Sequence, residues 1–147
     1  MIQPRHGQRG VALVEIAIML PFLLLLAIGG IEIGRYANYA NIAANAAHAG
    51  VQYGAQSLAA ASDTTGMENA AKIDWGSATG FTATASHYCK CSDGTASTCL
   101  SSDCQLPLHR ILWVQVVVTG SLNSILSYPA VPRTFNISKT AIMRVDQ

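Results

Sequence analysis

Charged residues are scarce in this 147-residue chain. Lysine, arginine, aspartate and glutamate together make up 12% of it, whereas about 25% is usual for a soluble domain. Hydrophobic residues make up 50%, and the mean hydropathy is +0.30. A composition this apolar indicates that part of the chain lies outside water.

Basic residues are also few, and they form no cluster. The net charge is +1, and without Arg5 and Arg9 the remaining seven bases stand against eight acids, which gives −1 from Val11 onward. This balance argues against a nucleic-acid partner. The sequence also lacks a nucleophile elbow, a phosphate-binding glycine loop and a recognisable pair of catalytic acids. We therefore expect a protein that is not an enzyme and that needs no cofactor.

The longest stretch without charge runs from Ile16 to Ile31. With the five residues before it, the apolar segment has 21 residues, and as a helix it would span about 31 Å, the thickness of a bilayer core. Arg5 and Arg9 precede it, and the first ten residues contain no acid. The positive-inside rule then places the N-terminus in the cytoplasm and residues 36–147 outside it, with membrane lipid as a partner.

One carboxylate interrupts this apolar segment. Glu15 lies five residues after Gly10, and burying it in lipid would be costly unless it finds a counter-charge. It could pair with Arg9 at the interface. Alternatively, cleavage after Gly10 would make Val11 a cationic amino terminus, which Glu15 could neutralise within its own chain or in an adjacent subunit.

The beginning of the chain combines the Gly10 junction, the glutamate that follows it, and the stretches ALVEIAIMLPFLLLL and GGIEIGR. Together these features resemble TadE-like pseudopilins of bacterial tight-adherence (Tad/Flp) systems. The resemblance covers residues 9–50 and continues weakly to a TAIMRV tail. It implies cleavage by a prepilin peptidase between Gly10 and Val11, with Glu15 as the packing glutamate. Ile16 stands where the family usually has phenylalanine or tyrosine.

The same resemblance implies a pilin-like fold and a set of partners. These are the prepilin peptidase, other pilins or pseudopilins, and the pilus assembly machinery. The expected location is the bacterial inner membrane, which the chain crosses once, and the C-terminal domain is expected to be periplasmic or extracellular. The protein would then be incorporated into an adhesive pilus or a secretion apparatus.

The chain divides into a leader (1–10), a transmembrane helix (11–34), an extracytoplasmic continuation of that helix (35–62) and a small α+β domain (63–147). Alanine-rich sequence predicts one helix over about 12–60. Pro21 removes one backbone donor and predicts a bend that serves assembly. Beyond the membrane, a stripe of small residues from Tyr36 to Leu58 would be covered by a neighbouring subunit or by the protein's own globular part.

The α+β domain begins with a short helix near 67–75, capped by Asp63 or Thr64. Alternating or β-branched sequence then predicts strands at 81–88, 111–120 and 135–145, with a proline-bounded loop at 122–133. These strands would form a small antiparallel sheet. The sheet and the long helix would hide a set of large side chains, namely Trp75, Trp113, Ile125 and Phe135.

Four cysteines fall within 16 residues as C-x-C-x7-C-x4-C, namely Cys89, Cys91, Cys99 and Cys104. Zinc would need wider ligand spacing, and an extracytoplasmic compartment favours disulfides, so we expect two disulfides and no metal rather than zinc or free thiols. Three pairings are possible. A turn at Asp93-Gly94 favours Cys89 with Cys99 and Cys91 with Cys104 without excluding the others.

The sequence thus predicts a minor pseudopilin, and two other protein classes remain open. One is an uncleaved single-pass membrane protein with an extracytoplasmic binding domain. The other is a secreted protein cut by an ordinary signal peptidase after the small-x-small triplet Ala27-Ile28-Gly29. The mature chain would begin at Val11, Met1 or Gly30, respectively. Whether a pseudopilin would be a filament component, an assembly primer or a regulator is left open.

Overall fold

A computed structural model describes residues 9–100, 102–125 and 132–145. The chain divides into two compact units, Met1–Arg35 and Tyr36–Gln147. The boundary between them falls within the first helix, α1 (Arg9–Ala55). The leader up to residue 8, including Arg5, lies outside the described residues, as does the middle of the proline-bounded loop.

The first unit holds the apolar part of α1. Large hydrophobic side chains from Val11 to Ile33 are exposed all around the helix. In the described part of the chain, one helix is long and apolar enough to cross a membrane, and it is the one that contains this segment. Pro21 lies inside it, and the backbone is helical on both sides. The candidate membrane span predicted from the sequence is therefore present.

The second unit starts with the rest of α1 and continues with α2 (Leu58–Ser62) and α3 (Thr64–Trp75). The predicted single helix over 12–60 is wrong at its end, because α1 stops at Ala55. Ser57 is extended, and its Oγ accepts a hydrogen bond of 3.1 Å from Ala60 N, so it caps a separate helix. The predicted cap at Asp63 is confirmed, and α3 starts at once rather than near residue 67.

A four-stranded antiparallel sheet follows, with the order β2-β1-β3-β4. Its strands are β1 (Phe81–Cys91), β2 (Ala96–Ser97), β3 (Arg110–Asn123) and β4 (Thr134–Arg144). The three predicted strands are all present and each differs from its predicted limits by one to three residues, whereas β2 was not predicted. The α+β class with a long helix and a small antiparallel sheet is confirmed.

One face of the sheet packs against the helices of the second unit. Its buried centre is the row Val114, Val116 and Val118 of β3. Small residues of α1 and two residues of α3 complete the core: Ala43, Ala46, Ala47, Val51, Met67 and Ala71. The protein's own globular part thus covers the middle of the small-residue stripe, from Ala43 to Gly54, whereas its two ends, Tyr36 and Leu58, are exposed. Small side chains permit the close approach of helix to sheet.

The predicted set of hidden side chains is correct only in part. Trp75, Trp113 and Phe135 are half-buried, but Ile125 is 58% exposed. Ile125 lies two residues beyond the end of β3 at Asn123 and is therefore not part of the sheet. Trp113 is less buried than Val114 because successive side chains of a strand point to opposite faces, and the valine row occupies the face toward the helices.

Candidate assembly segment and disulfide-bridged loop

The candidate processing site lies in the first turns of α1. Val11 is 68% exposed, and a Cβ added at Gly10 would meet nothing within 4 Å. Gly10, Val11 and Glu15 line one shallow groove, together with Val14 and Ile18. Glu15 lies four residues after Val11, so one turn of helix places both on the same face. The alternative, pairing of Glu15 with Arg9, stays a prediction, because the side chain of Arg9 lies outside the described part of the structure.

Further along the same unit, Glu32 and Arg35 form an ion pair. Arg35 Nη1 lies 3.3 Å from Glu32 Oε2, and the two residues are three positions apart on the helix. This is the polar end of the apolar segment. A paired acid and base at that point suit the interface between membrane and water better than the bilayer core.

Both predicted disulfides are present. Cys89 bonds Cys99 and Cys91 bonds Cys104, which is the pairing that the turn favoured. Zinc coordination by these thiolates is contradicted, since all four sulfur atoms are in disulfide bonds. Within the described ranges, no group of three or more potential ligands could hold a metal ion.

The turn at Asp93-Gly94 explains the pairing. Asp93 Oδ1 accepts hydrogen bonds from Thr95 N at 3.0 Å and from Thr95 Oγ1 at 2.7 Å, and Gly94 has a φ of 90°, which favours glycine. The hairpin then sets Cys89 opposite Ser97. Cys99, two residues later, is brought within bonding distance of Cys89. The hydrogen bonds from Thr95 hold the pKa of Asp93 below its usual range.

A second aspartate organises the same loop, and sequence reasoning missed it. Asp103 Oδ2 accepts hydrogen bonds from Thr98 N at 2.6 Å, Thr98 Oγ1 at 2.7 Å and Ser97 Oγ at 2.9 Å. These donors lower the pKa of Asp103, with Thr98 as the largest cause. Arg110 also donates to the carbonyl oxygen of Cys99. The loop has almost no apolar core, so crosslinks and polar contacts fix its shape.

Comparison with known families concerns the candidate assembly segment in α1 and not the disulfide-bridged loop. Residues 10–52 match the family model described as TadE-like protein. Over this range the chain is similar to that family. The resemblance predicted from the sequence is therefore confirmed, and the match supports a protein associated with Tad pilus systems. A search of curated proteins and a search of solved structures each found no match.

The TadE-like segment lies within α1, three residues short of its end at Ala55. It contains Gly10, Val11, Glu15 and Pro21, whereas the sheet and the disulfide-bridged loop lie beyond it. The match thus covers most of α1 and none of the sheet or of the disulfide-bridged loop.

Proposed function

We propose that this chain is a minor pseudopilin that takes part in assembly of a tight-adherence pilus or secretion apparatus. The observation that carries the proposal is the TadE-like apolar helix, in which Glu15 lies one turn after Val11. The proposed protein is not an enzyme. Its role is mechanical: the helix anchors the chain in the bilayer and then packs with the helices of other pilins or pseudopilins.

In the proposed pathway, a prepilin peptidase cuts between Gly10 and Val11 on the cytoplasmic side of the inner membrane. Glycine before the cut suits such an enzyme, because the absence of a side chain lets the backbone approach the catalytic groups. The new amino group of Val11 is a cation at the start of an apolar helix. Glu15 offers it a counter-charge, within the same chain or from an adjacent subunit.

Cleavage also removes a barrier to extraction from the membrane. The leader contains Arg5 and Arg9. Each arginine would cost about 2.5 to 3.5 kcal/mol at the centre of a bilayer on insertion scales. An uncut chain is therefore expected to stay in the inner membrane, with its leader in the cytoplasm and its C-terminal domain in the periplasm.

Intact-mass measurement of protein recovered from membranes and from sheared filaments tests the proposal. The expected mature chain begins at Val11. A chain that begins at Met1 would instead support the uncleaved membrane protein, and one that begins at Gly30 would support the secreted protein. Either result would refute the pseudopilin.

A pair of glycine variants sharpens the test. Gly10→Val should retain residues 1–10 and should accumulate in the inner membrane. Gly34→Val is the matched control, because an added Cβ at Gly34 also meets nothing within 4 Å and Gly34 lies far from the proposed cut. The control should be processed like the wild type. Equal processing of both variants would remove Gly10 from the proposed mechanism.

A further inference from the structure

The two edges of the sheet are treated differently. At one edge, β2 pairs with Cys89 and Lys90 of β1, and the disulfide from Cys89 to Cys99 lies next to this pairing. Further along β1, the carboxylate of Glu68 on α3 accepts a hydrogen bond of 3.2 Å from Ala85 N. A short strand and a helix thus cover the outward main-chain groups of β1, as is common for sheet edges.

At the other edge, β4 is long and regular. It has 11 residues without proline or glycine, and its register with β3 runs without a bulge from Trp113 opposite Arg144 to Asn123 opposite Thr134. Among the described residues, no strand pairs with its outer side. A bulge, a proline and short length are three usual protections of an edge strand, and β4 has none of them; its charged residues, Lys139 and Arg144, are a fourth kind of protection against pairing with a like-charged strand.

The main-chain groups that face outward can be identified from the register. Val145 N donates to Leu112 O at 2.9 Å, so Val145 faces β3. Hydrogen-bonded and non-bonded positions alternate along an antiparallel ladder, and the even-numbered residues of β4 therefore direct their N–H and C=O groups to the free edge. These residues are Thr134, Asn136, Ser138, Thr140, Ile142 and Arg144.

The charge of the sheet indicates what kind of strand fits this edge. The three long strands contain four lysines or arginines and no acid. Two of the four, Lys139 and Arg144, lie on β4 and are exposed. Within the described ranges, neither forms an ion pair with a carboxylate. A second copy would bring two further bases and no acid to the edge, so pairing of β4 with itself would leave Lys139 and Arg144 without a counter-charge.

We propose that the free edge of β4 binds an extended, acid-bearing segment of another protein by strand addition. The added strand exchanges main-chain hydrogen bonds with the outward-facing residues of β4. Acidic side chains of the partner then lie opposite Lys139 and Arg144. This function goes beyond anchoring and filament assembly, because the edge lies outside the TadE-like segment.

The positions of the two bases set a spacing for the partner. Lys139 lies opposite Val118, whose side chain is on the face toward the helices, whereas Arg144 lies opposite Trp113 on the other face. Directly opposed residues point to the same face of a sheet. The partner strand therefore carries two acids five residues apart, one for each face. Acids four apart would both point to one face, and only one of them could reach a base.

Binding of synthetic peptides to the full-length protein in detergent tests this inference. The probe is a fluorescent peptide of alternating threonine and valine with two glutamates five residues apart. The control peptide has the same composition with the glutamates four apart. The five-apart peptide should bind more tightly, by up to about fivefold if one exposed cross-strand ion pair is lost in the control. Equal affinity for the two peptides, or no binding of either, would overturn the proposal.

Two sets of variants separate main-chain pairing from charge. Thr140→Pro removes an outward N–H at an edge where proline is tolerated, and it should weaken binding, whereas Thr140→Val keeps the N–H and should not. The double variant Lys139→Glu with Arg144→Glu should prefer a peptide with lysines in place of the glutamates. This second variant tests the proposal even if the proline variant does not fold. Dimers of the wild type that Thr140→Pro abolishes would overturn it in favour of a second copy as the occupant.

Discussion

The hydroxyl of Tyr53 donates a hydrogen bond of 2.9 Å to Oδ2 of Asp63. The other oxygen of that carboxylate, Oδ1, accepts from Gly66 N at 2.8 Å and thereby caps α3. One side chain thus ties the last turns of α1 to the start of α3. The hydrogen bond to Asp63, and then its negative charge, raise the pKa of Tyr53, because both favour the protonated phenol.

Replacing this cap should destabilise the second unit. Asp63→Ala is expected to lower the free energy of unfolding by about 1 kcal/mol, the usual cost of losing an N-cap. Urea unfolding of the full chain in detergent measures it. Asp74→Ala is the matched control, since Asp74 is an exposed acid in the last turn of α3, where a negative charge is unfavourable. A loss as large in the control would contradict the capping role.

The same variant should change the titration of Tyr53. A raised folded-state pKa means that the stabilising contribution is present below the ordinary value of 10.0 and is lost as the pH rises through the folded-state pKa. In Asp63→Ala the pKa of Tyr53 should fall toward 10.0. Ultraviolet absorbance of the tyrosinate, compared with the variant Tyr53→Phe to isolate this residue, checks the direction.

The position of the break between α1 and α2 could not be predicted from the sequence pattern. Gly50 and Gly54 are the residues with the lowest helix propensity there, yet both lie inside α1, whereas the break occurs at Ser57. Helix propensities differ by less than about 1 kcal/mol per residue, so packing decides. Gly50 is buried because the sheet approaches it, and that contact joins residues far apart in sequence.

The strands were easier to predict, because β-branched residues and a period of two mark a half-buried strand directly. The two-residue strand β2 has no such period, and its position depends on the turn at Gly94. The hydrogen bonds that Asp103 accepts could not be predicted from the sequence either. They require the loop to fold back over five residues, and no local pattern specifies that.

Gly50 should not tolerate a larger residue. A Cβ added there would lie 2.9 Å from the carbonyl oxygen of Met67 on α3 and 3.0 Å from Cγ2 of Val116 on β3, so α1 would have to move away from both. Gly50→Ala is expected to lower the free energy of unfolding by about 1 to 3 kcal/mol, the range for overpacking. Gly34→Ala, which meets nothing within 4 Å, should not. Thermal unfolding of both variants would decide, and equal stability would disprove the close approach.

Acid should loosen the disulfide-bridged loop through Asp103. Its pKa is lowered from the ordinary value of 3.8, so the stabilising contribution is present above that value and is lost as the pH falls through the folded-state pKa. Hydrogen exchange at Thr98 N, which donates to this carboxylate, should show less protection at low pH. Asp103→Asn should show weaker protection and a smaller pH dependence. An unchanged pH profile in that variant would assign the effect to another group.

The two disulfides should each contribute to the stability of the second unit. Removing one of them, by the double replacement Cys91→Ser with Cys104→Ser, is expected to lower the free energy of unfolding by about 2 to 4 kcal/mol. Membrane insertion should be unaffected, because the apolar part of α1 belongs to the first unit and the disulfides to the second. Mass spectrometry after alkylation should find no free thiol in the wild type. Four alkylated cysteines, or stoichiometric zinc, would contradict the bridges.

The most direct test of the assembly segment is Glu15→Ala. Removing the carboxylate makes the helix more apolar, so the variant should insert and should be processed nearly as the wild type is. It should nevertheless fail to join its partners, because the Val11 amine would lose its counter-charge in an environment of low dielectric constant. Glu15→Asp keeps the charge on a shorter side chain and should retain part of the assembly, whereas Glu15→Gln should behave like alanine. Crosslinking and co-purification with the assembled material measure this order, and full recovery of Glu15→Ala in that material would reduce Glu15 to an interfacial residue.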